Sequence, residues 1–206
     1  MTTVMDTTTA TPSARERMVT SARELIQERG VHGVGMRDVV AHAAAPRGSL
    51  QHYFPGGKDQ LVAEALTQAD TASRRVLRAA LADGGDPVDV VRQVLEGWRT
   101  TLRDEDFRRG CPFAATTVDT SADNPALRAA VHDRFSSWHA DLATLLERPG
   151  LPAGRARTLA TLVQTALQGS LVLARAHRST APLDDVEAEL VPLLEAALLT
   201  ARPATA

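Results

Sequence analysis

Apolar residues recur every three or four positions along most of the chain, and this spacing constrains the fold more than any other feature. Met18, Ala22, Leu25 and Ile26 form one such stripe, and comparable stripes follow between residues 58 and 199. A repeat of about 3.6 residues places side chains on one face of an α-helix, whereas a strand requires strict alternation. No segment keeps such an alternation. The sequence therefore predicts an all-α fold with about nine helices.

Glycine and proline residues divide the chain into a small N-terminal part and a larger C-terminal part. The first helix is expected to begin after Ser13, where Glu16 completes a capping box, and to end at Gly30. Two short helices follow, separated by the turn at 44–46, and three helices in this order outline a helix-turn-helix unit. The predicted divisions are a disordered tail at 1–12, a helix-turn-helix domain at 13–57 and a larger helical domain at 58–206.

The larger part begins with a long amphipathic segment. Its apolar positions run from Leu61 to Ala80, which predicts one continuous helix from Lys58 to Asp83. Further helices are expected at residues 87 and 125, because in each case a capping Asp or Asn precedes a proline at the first helical position.

Residues 155–176 are apolar on nearly every side of the helix that they are predicted to form. A helix of that kind must be covered on more than one face. The core of the same chain covers one face, and a second copy of the chain is the expected cover for the other. We therefore predict a homodimer, with an interface made by the helices at 155–176 and 183–199 of both copies.

The composition excludes several classes of protein. The single Cys111 precludes an internal disulfide. No run approaches the roughly 18 uninterrupted apolar residues of a membrane helix, so a cytoplasmic protein is expected. Catalytic signatures such as GxSxG, HExxH and the phosphate-binding loop are absent, and we expect no enzyme activity, metal or other cofactor. With a net charge of −2, any binding to nucleic acid depends on where the cations lie rather than on their number.

The segment RGSLQHYFPGGK, with a turn before it and a long helix after it, resembles the TetR family of transcriptional repressors. The likeness covers roughly residues 15–66, and the sequences PRGSL, FPGGK and a later GCP resemble the LmrA/YxaF-like branch of that family. The resemblance implies a homodimeric repressor that binds a double-stranded DNA operator, associates with the nucleoid when bound, and is released by a small, largely apolar effector.

Candidate DNA contacts lie on and around the predicted recognition helix. We predict that Arg47 reads a guanine in the major groove, that Gly48 lets the backbone approach the DNA, and that Ser49 bonds a phosphate. The other predicted contacts lie along the exposed edge of this helix or flank it: Gln51, His52, Tyr53, Arg37 and Lys58. Each of these residues taken singly also fits an ordinary surface or core position. Their order along the chain, from turn to arginine to aromatic pair to lysine, favours DNA binding.

Three positions depart from the commonest family pattern. Ala44 stands where the turn usually has glycine, and Gly35 stands where the second helix usually has a Ser or Thr cap. Each of these departures is expected to cost about 1 kcal/mol of local stability. Gln51 replaces an aromatic residue that usually touches a phosphate, and its amide suits either a phosphate or a base edge.

The family resemblance also implies an effector pocket within the larger domain. Its candidate lining consists of Trp98, Cys111, Phe113, Thr117, Trp138, His139 and Gln164. Each of these residues also fits an ordinary core position, which the pattern favours for the two tryptophans. Two alternative functions stay open at this stage: a redox-sensing repressor acting through Cys111, and a helical dimerisation protein that does not bind DNA.

Overall fold

The structure is a computed structural model that describes residues 11–120 and 124–201, and these residues form helices without any strand. The helices are α1 (Ala14–Arg29), α2 (Met36–His42), α3 (Ser49–Tyr53), α4 (Gly57–Ser73), α5 (Arg75–Asp83), α6 (Pro87–Asp104), α7 (Pro112–Thr120), α8 (Pro125–Glu147), α9 (Ala153–His177) and α10 (Ala181–Ala201). The predicted all-α class is confirmed. Apart from Thr11 and Pro12, the tail predicted at 1–12 lies outside the described residues. Among the described helices, none has both the length and the apolar character needed to cross a bilayer.

The first helix begins as its sequence predicts. The Ser13 hydroxyl accepts a hydrogen bond from the Glu16 N–H at 3.2 Å, and the Glu16 carboxylate accepts one from the Ser13 N–H at 2.7 Å. This reciprocal pair satisfies two N–H groups that the helix itself leaves without partners. The apolar side of α1, including Met18, Leu25 and Ile26, is fully buried.

The turn between α2 and α3 adopts a strained backbone. Ala44 lies in the left-handed region with φ of 47°, where a Cβ atom is crowded by the neighbouring carbonyl group. Arg17 of α1 stabilises the same turn, because its Nε donates to the carbonyl oxygen of Ala43 at 3.1 Å. The geometry of the turn is thus fixed by contacts rather than by a glycine.

At the start of α2, the Asp38 carboxylate accepts from the Gly35 N–H at 2.9 Å and offsets the missing Ser or Thr cap.

We expect Ala44→Gly to stabilise the protein by about 0.5–1 kcal/mol, because glycine adopts this backbone conformation without the steric cost paid by alanine. Urea unfolding at one fixed protein concentration measures the change. Ala41→Gly, at an exposed position inside α2, is the matched control and should destabilise by about 1 kcal/mol. A loss of stability in both variants would contradict the assignment of strain to Ala44.

The prediction of one continuous helix from Lys58 to Asp83 is wrong, because the chain breaks between α4 and α5. At the break, the Arg74 N–H donates to the carbonyl groups of both Ala72 and Asp70. The Arg74 guanidinium forms an ion pair with Asp141 of α8 and lies 3.9 Å from the Asp70 carboxylate. These contacts hold the chain at the break. The pair of Arg74 with Asp141 joins residues far apart in sequence, and helical periodicity does not register such a pair.

Two apolar clusters stabilise the helices. The first is built on α1, α2 and α4, includes Phe54, and extends to Phe113 of α7 and to Leu127 and Val131 of α8. The second lies among α6, α8, α9 and α10. Since the first cluster continues into α7 and α8, the small N-terminal unit is packed directly on the larger one. The domain division at 57/58 stays a prediction.

Candidate nucleic-acid interface and effector cavity

Helix α3 exposes one edge and buries the other. Phe54 is fully buried and Leu50 is half-buried, so they anchor α3 against the first apolar cluster. Gln51 and His52 are exposed on the opposite edge, and Tyr53 is half-buried with its ring centroid 4.9 Å from that of His52. The structure therefore places Gln51 and His52 on an exposed surface, whereas Tyr53 packs partly against the first apolar cluster.

The start of α3 is open to an external partner. Arg47 and Gly48 are exposed, and a Cβ atom added to Gly48 would meet nothing within 4 Å. The φ angle of Gly48 is −80°, which any residue adopts, so the fold itself does not require glycine here. The Ser49 hydroxyl donates to the Pro46 carbonyl at 2.6 Å, which closes the turn. For the Ser49 hydroxyl to donate to a phosphate, it would have to give up its hydrogen bond to the Pro46 carbonyl.

Two further cations flank α3. Arg37 is exposed at the start of α2, and Lys58 is half-buried in the first turn of α4. The chain reaches Lys58 through Gly57, whose φ of 69° favours glycine. The N-terminus of a helix attracts anions through its unpaired N–H groups and its dipole. Lys58 therefore lies where both its own charge and the helix terminus favour a phosphate.

We expect Lys58→Ala to weaken binding to operator and scrambled DNA alike, because a phosphate contact carries no sequence information. The slope of log K against log salt concentration should become shallower by about one unit. Lys58 is the only lysine of the sequence, so protection of this residue from an amine-reactive reagent by bound DNA gives an independent measurement. An unchanged salt slope together with unprotected labelling would contradict the contact.

A cavity of about 520 Å³ lies among α1 and the helices from α4 to α9. Five of the residues predicted for the pocket line this cavity: Trp98, Cys111, Phe113, Trp138 and Gln164. Thr117 and His139 lie outside its lining. The Thr117 hydroxyl donates to the Phe113 carbonyl at 2.8 Å, and His139 Nε2 lies 3.0 Å from both the Arg157 carbonyl and the Thr161 hydroxyl.

Several polar residues line the cavity that the sequence did not assign to it. They are Arg23, Gln27, Gln93, Arg109, Arg134 and Gln168. Gln168 follows Gln164 by one helical turn, so the i, i+4 spacing was a signal that could have identified it. Its Oε1 atom is buried and has no hydrogen-bond partner among the described residues, which leaves an acceptor for a ligand. Arg134 gave no such signal, because an isolated arginine in a helix usually lies on the surface.

Cys111 is held in an environment that disfavours the thiolate. Burial raises the pKa of its thiol, and hydrogen bonds from the backbone of Ala114 and Phe113 and from Gln168 only partly oppose that effect. The raised pKa favours the neutral thiol over the thiolate, which is the nucleophilic form.

Arg109, which lines the cavity, is paired with three carboxylates. Arg109 contacts Glu105 of the loop after α6 at 3.0 Å, and it contacts Glu24 and Glu28 of α1 at 3.3 and 3.7 Å. These ion pairs connect the wall of the cavity to the first helix of the DNA-binding unit. Within the described ranges, no three His, Cys, Asp or Glu side chains are grouped as they would be to hold a metal ion.

The short exposed helix α3, the turn before it and the buried Phe54 that anchors it define a helix-turn-helix regulator. The model of the N-terminal domain of the TetR family of bacterial regulatory proteins matches residues 19–65. The C-terminal domain model of LmrA/YxaF-like transcriptional regulators matches residues 87–189. The chain belongs to the TetR family and is a DNA-binding transcriptional regulator, and regulators of this family bind operators and small effectors and form dimers.

Individual relatives agree with this assignment over most of their length. An uncharacterized HTH-type transcriptional regulator of Mycobacterium tuberculosis, Rv0196, is 40% identical over 192 residues, which cover 89% of this chain and 95% of the relative. The HTH-type transcriptional regulator LmrA of Bacillus subtilis is 26% identical over 182 residues, which cover 88% and 97%. A TetR transcriptional regulator from Legionella pneumophila has the same fold, with a TM-score of 0.81 at 18% identity over 89% of this chain and 98% of that one.

Proposed function

We propose that this chain is a ligand-responsive repressor, which binds an operator as a homodimer in the cytoplasm and leaves it when a small effector occupies the cavity. One observation carries the proposal: Arg23 and Gln27 of α1 line the same cavity as Trp98 and Trp138. A molecule bound there would touch the DNA-binding unit directly. No separate relay between the two parts is required.

The DNA contact is assigned to the exposed edge of α3 and its flanks. Arg47 supplies a planar fork of N–H donors that matches the O6 and N7 acceptors of guanine. Gly48 supports a close backbone approach, because the protein has no internal need for a glycine at this position. Arg37, Gln51, His52 and Lys58 are assigned to the adjoining phosphates and base edges.

Release from DNA follows from the contacts between α1 and the loop after α6. The Gly110 N–H donates to the Gln27 carbonyl at 3.0 Å. Arg175 of α9 donates to the carbonyl groups of Glu28 at 3.3 Å and Arg108 at 2.6 Å. A ligand that displaces this loop would therefore move the end of α1. A coupling free energy of about 1–3 kcal/mol between cavity and DNA is sufficient for a switch.

Neither alternative function has comparable support. A redox sensor acting through Cys111 requires an accessible thiolate, whereas burial raises the pKa of this thiol. A helical dimerisation protein without DNA binding does not fit a chain that belongs to a family of DNA-binding regulators.

The experiment that tests the proposed function uses DNA selected by the protein from random sequence, together with DNA upstream of its own coding region. Fluorescence anisotropy should show operator binding that exceeds binding to scrambled DNA by about 1,000-fold or more. Small molecules are then titrated against the preformed complex. Failure to prefer any selected sequence would contradict operator binding, and a stable complex in the presence of every molecule that enters the cavity would contradict ligand response.

A further inference from the structure

A buried arginine forms part of the cavity wall. The Arg134 side chain of α8 is only 8% exposed, yet it lines the cavity. Its guanidinium carbon lies 5.1 Å from the centroid of the Phe113 ring, so the aromatic face stabilises the cation. Burying a guanidinium is costly unless anions and hydrogen-bond acceptors compensate its charge.

The compensating anion comes from α4, the helix that follows the DNA-binding unit. Arg134 Nε lies 2.5 Å from Asp70 Oδ1. Asp70 also lies near Arg74, which is paired in turn with Asp141 of α8. Two arginines and two aspartates thus form a neutral cluster between α4 and α8, beside the break that ends α4. This cluster joins the C-terminal end of α4 to α8, in the effector-binding part of the chain.

Arg134 has access to the cavity, whereas Asp70 is not part of the cavity lining. We propose that the effector carries a carboxylate, and that this group binds Arg134, displaces Asp70 and loosens α4 from α8. This inference rests on the proposed function, since it names the ligand class and the event that releases the DNA-binding unit. A guanidinium has five N–H donors and binds carboxylates in a bidentate manner.

The cavity lining contains Asp104 and Glu105 as well as three arginines, and Glu105 is already paired with Arg109. Arg134 is the charge that favours an acid over other ligands. The other two lining arginines, Arg23 and Arg109, are engaged by carboxylates of α1 or of the loop after α6. A cationic ligand would lie against the buried Arg134, and a neutral ligand could not replace the charge of Asp70. The apolar body of the acid would pack against Trp98 and Trp138.

Matched pairs of probes test the exchange. Trp98 and Trp138 are the only tryptophans of the sequence and both line the cavity, so intrinsic fluorescence reports binding there. The probes are 4-cyclohexylbutanoate and dodecanoate, each compared with its own primary amide, which lacks the charge. The wild type should bind each acid at least about tenfold more tightly than its amide, because a charge-assisted pair is stronger than a neutral hydrogen bond. The acids, unlike the amides, should also lower operator affinity.

Three substitutions distinguish competition with Asp70 for Arg134 from simple electrostatic attraction of the acid to the cavity. Asp70→Asn removes the competing carboxylate and should raise the affinity for the acids about tenfold, with amide affinity unchanged. Asp141→Asn is the matched control, because Asp141 belongs to the same cluster but pairs with Arg74; it should not raise acid affinity. Arg134→Gln should abolish the preference for acids. Circular dichroism checks that each variant is folded, and Asp70→Asn keeps the test decisive if Arg134→Gln does not fold.

Three results would overturn the carboxylate exchange: equal binding of acids and amides, no binding of any probe, or no gain of acid affinity in Asp70→Asn. These results differ from a failure of the proposed function. If only uncharged molecules released the operator, the protein would still be ligand-responsive but the proposal of a carboxylate effector would be wrong. If the unliganded wild type did not bind the operator, the proposed repressor function would be wrong. The preference for acids is measured separately, by fluorescence, and does not depend on that result.

Discussion

Arg47→Ala is expected to weaken binding to the selected operator by about 1–3 kcal/mol, or about 5- to 150-fold, since one bidentate contact to guanine contributes this amount of discrimination. Binding to scrambled DNA should fall much less, because it depends on the number of phosphate contacts. Thermal stability should not change, because Arg47 is exposed and precedes α3 rather than packing beneath it. Anisotropy titrations with both DNAs at one salt concentration measure the two effects.

Arg92→Ala is the control for the loss of a positive charge. Arg92 is exposed on α6 and pairs with Asp89 and Glu195, far along the chain from the recognition helix. This variant should bind both DNAs as the wild type does. If Arg47→Ala lowered the affinity for operator and scrambled DNA by the same factor, Arg47 would be a phosphate contact and the assignment to a guanine would be wrong.

Helix starts could be predicted because they depend on contacts within a few residues. At α6, the Asp86 carboxylate accepts from the Val88 N–H at 2.7 Å. At α8, the Asn124 side chain accepts from the Leu127 N–H at 3.0 Å. Both contacts repeat the logic of Ser13 at α1: a short polar side chain satisfies an N–H group of the first turn. Such signals are local, so the sequence displays them directly.

The parts that could not be predicted depend on pairs that are distant in sequence. The break at Arg74 involves Asp141 of α8, and the wall of the cavity is completed by Arg134 with Asp70 of α4. Helical periodicity ranks an arginine or aspartate as a surface residue, because burial of its charge requires a partner that the local sequence does not show. The aromatic residues of the cavity lining were easier to predict from the sequence, since Trp98 and Trp138 lie on the apolar faces of their helices.

The exposed apolar residues of the larger part are concentrated on α9 and α10. Within the described residues, six large apolar side chains are exposed, and five of them lie on these two helices: Leu162, Val172, Leu173, Leu193 and Leu199. On α9 they accompany the exposed Thr165 and Gly169, so one side of the helix is apolar or small rather than charged. An uncharged surface of this kind is typical of protein interfaces. Together with the sequence pattern, it supports the predicted dimer.

Val172→Glu is therefore expected to dissociate the dimer, with an increase of at least about 100-fold in its dissociation constant. Val172 is 59% exposed in one protomer, so the substitution does not disturb the protomer's own core. In a two-fold interface each change occurs twice, and each buried, unpaired carboxylate costs several kcal/mol. Operator affinity should fall with the dimer, because a monomer presents one recognition helix where the operator has two half-sites. Sedimentation velocity and anisotropy measure the two losses.

Val118→Glu is the matched control, since Val118 is 85% exposed but lies on α7 rather than on α9 or α10. It introduces the same charge in place of the same residue, and it should leave both the oligomeric state and operator binding unchanged. Circular dichroism should show equal helix content in the two variants and the wild type. If Val172→Glu remained a dimer at the concentrations where the wild type is one, the interface would lie elsewhere on the protomer. The spacing of the recognition helices would then have to be set by a different pair of surfaces.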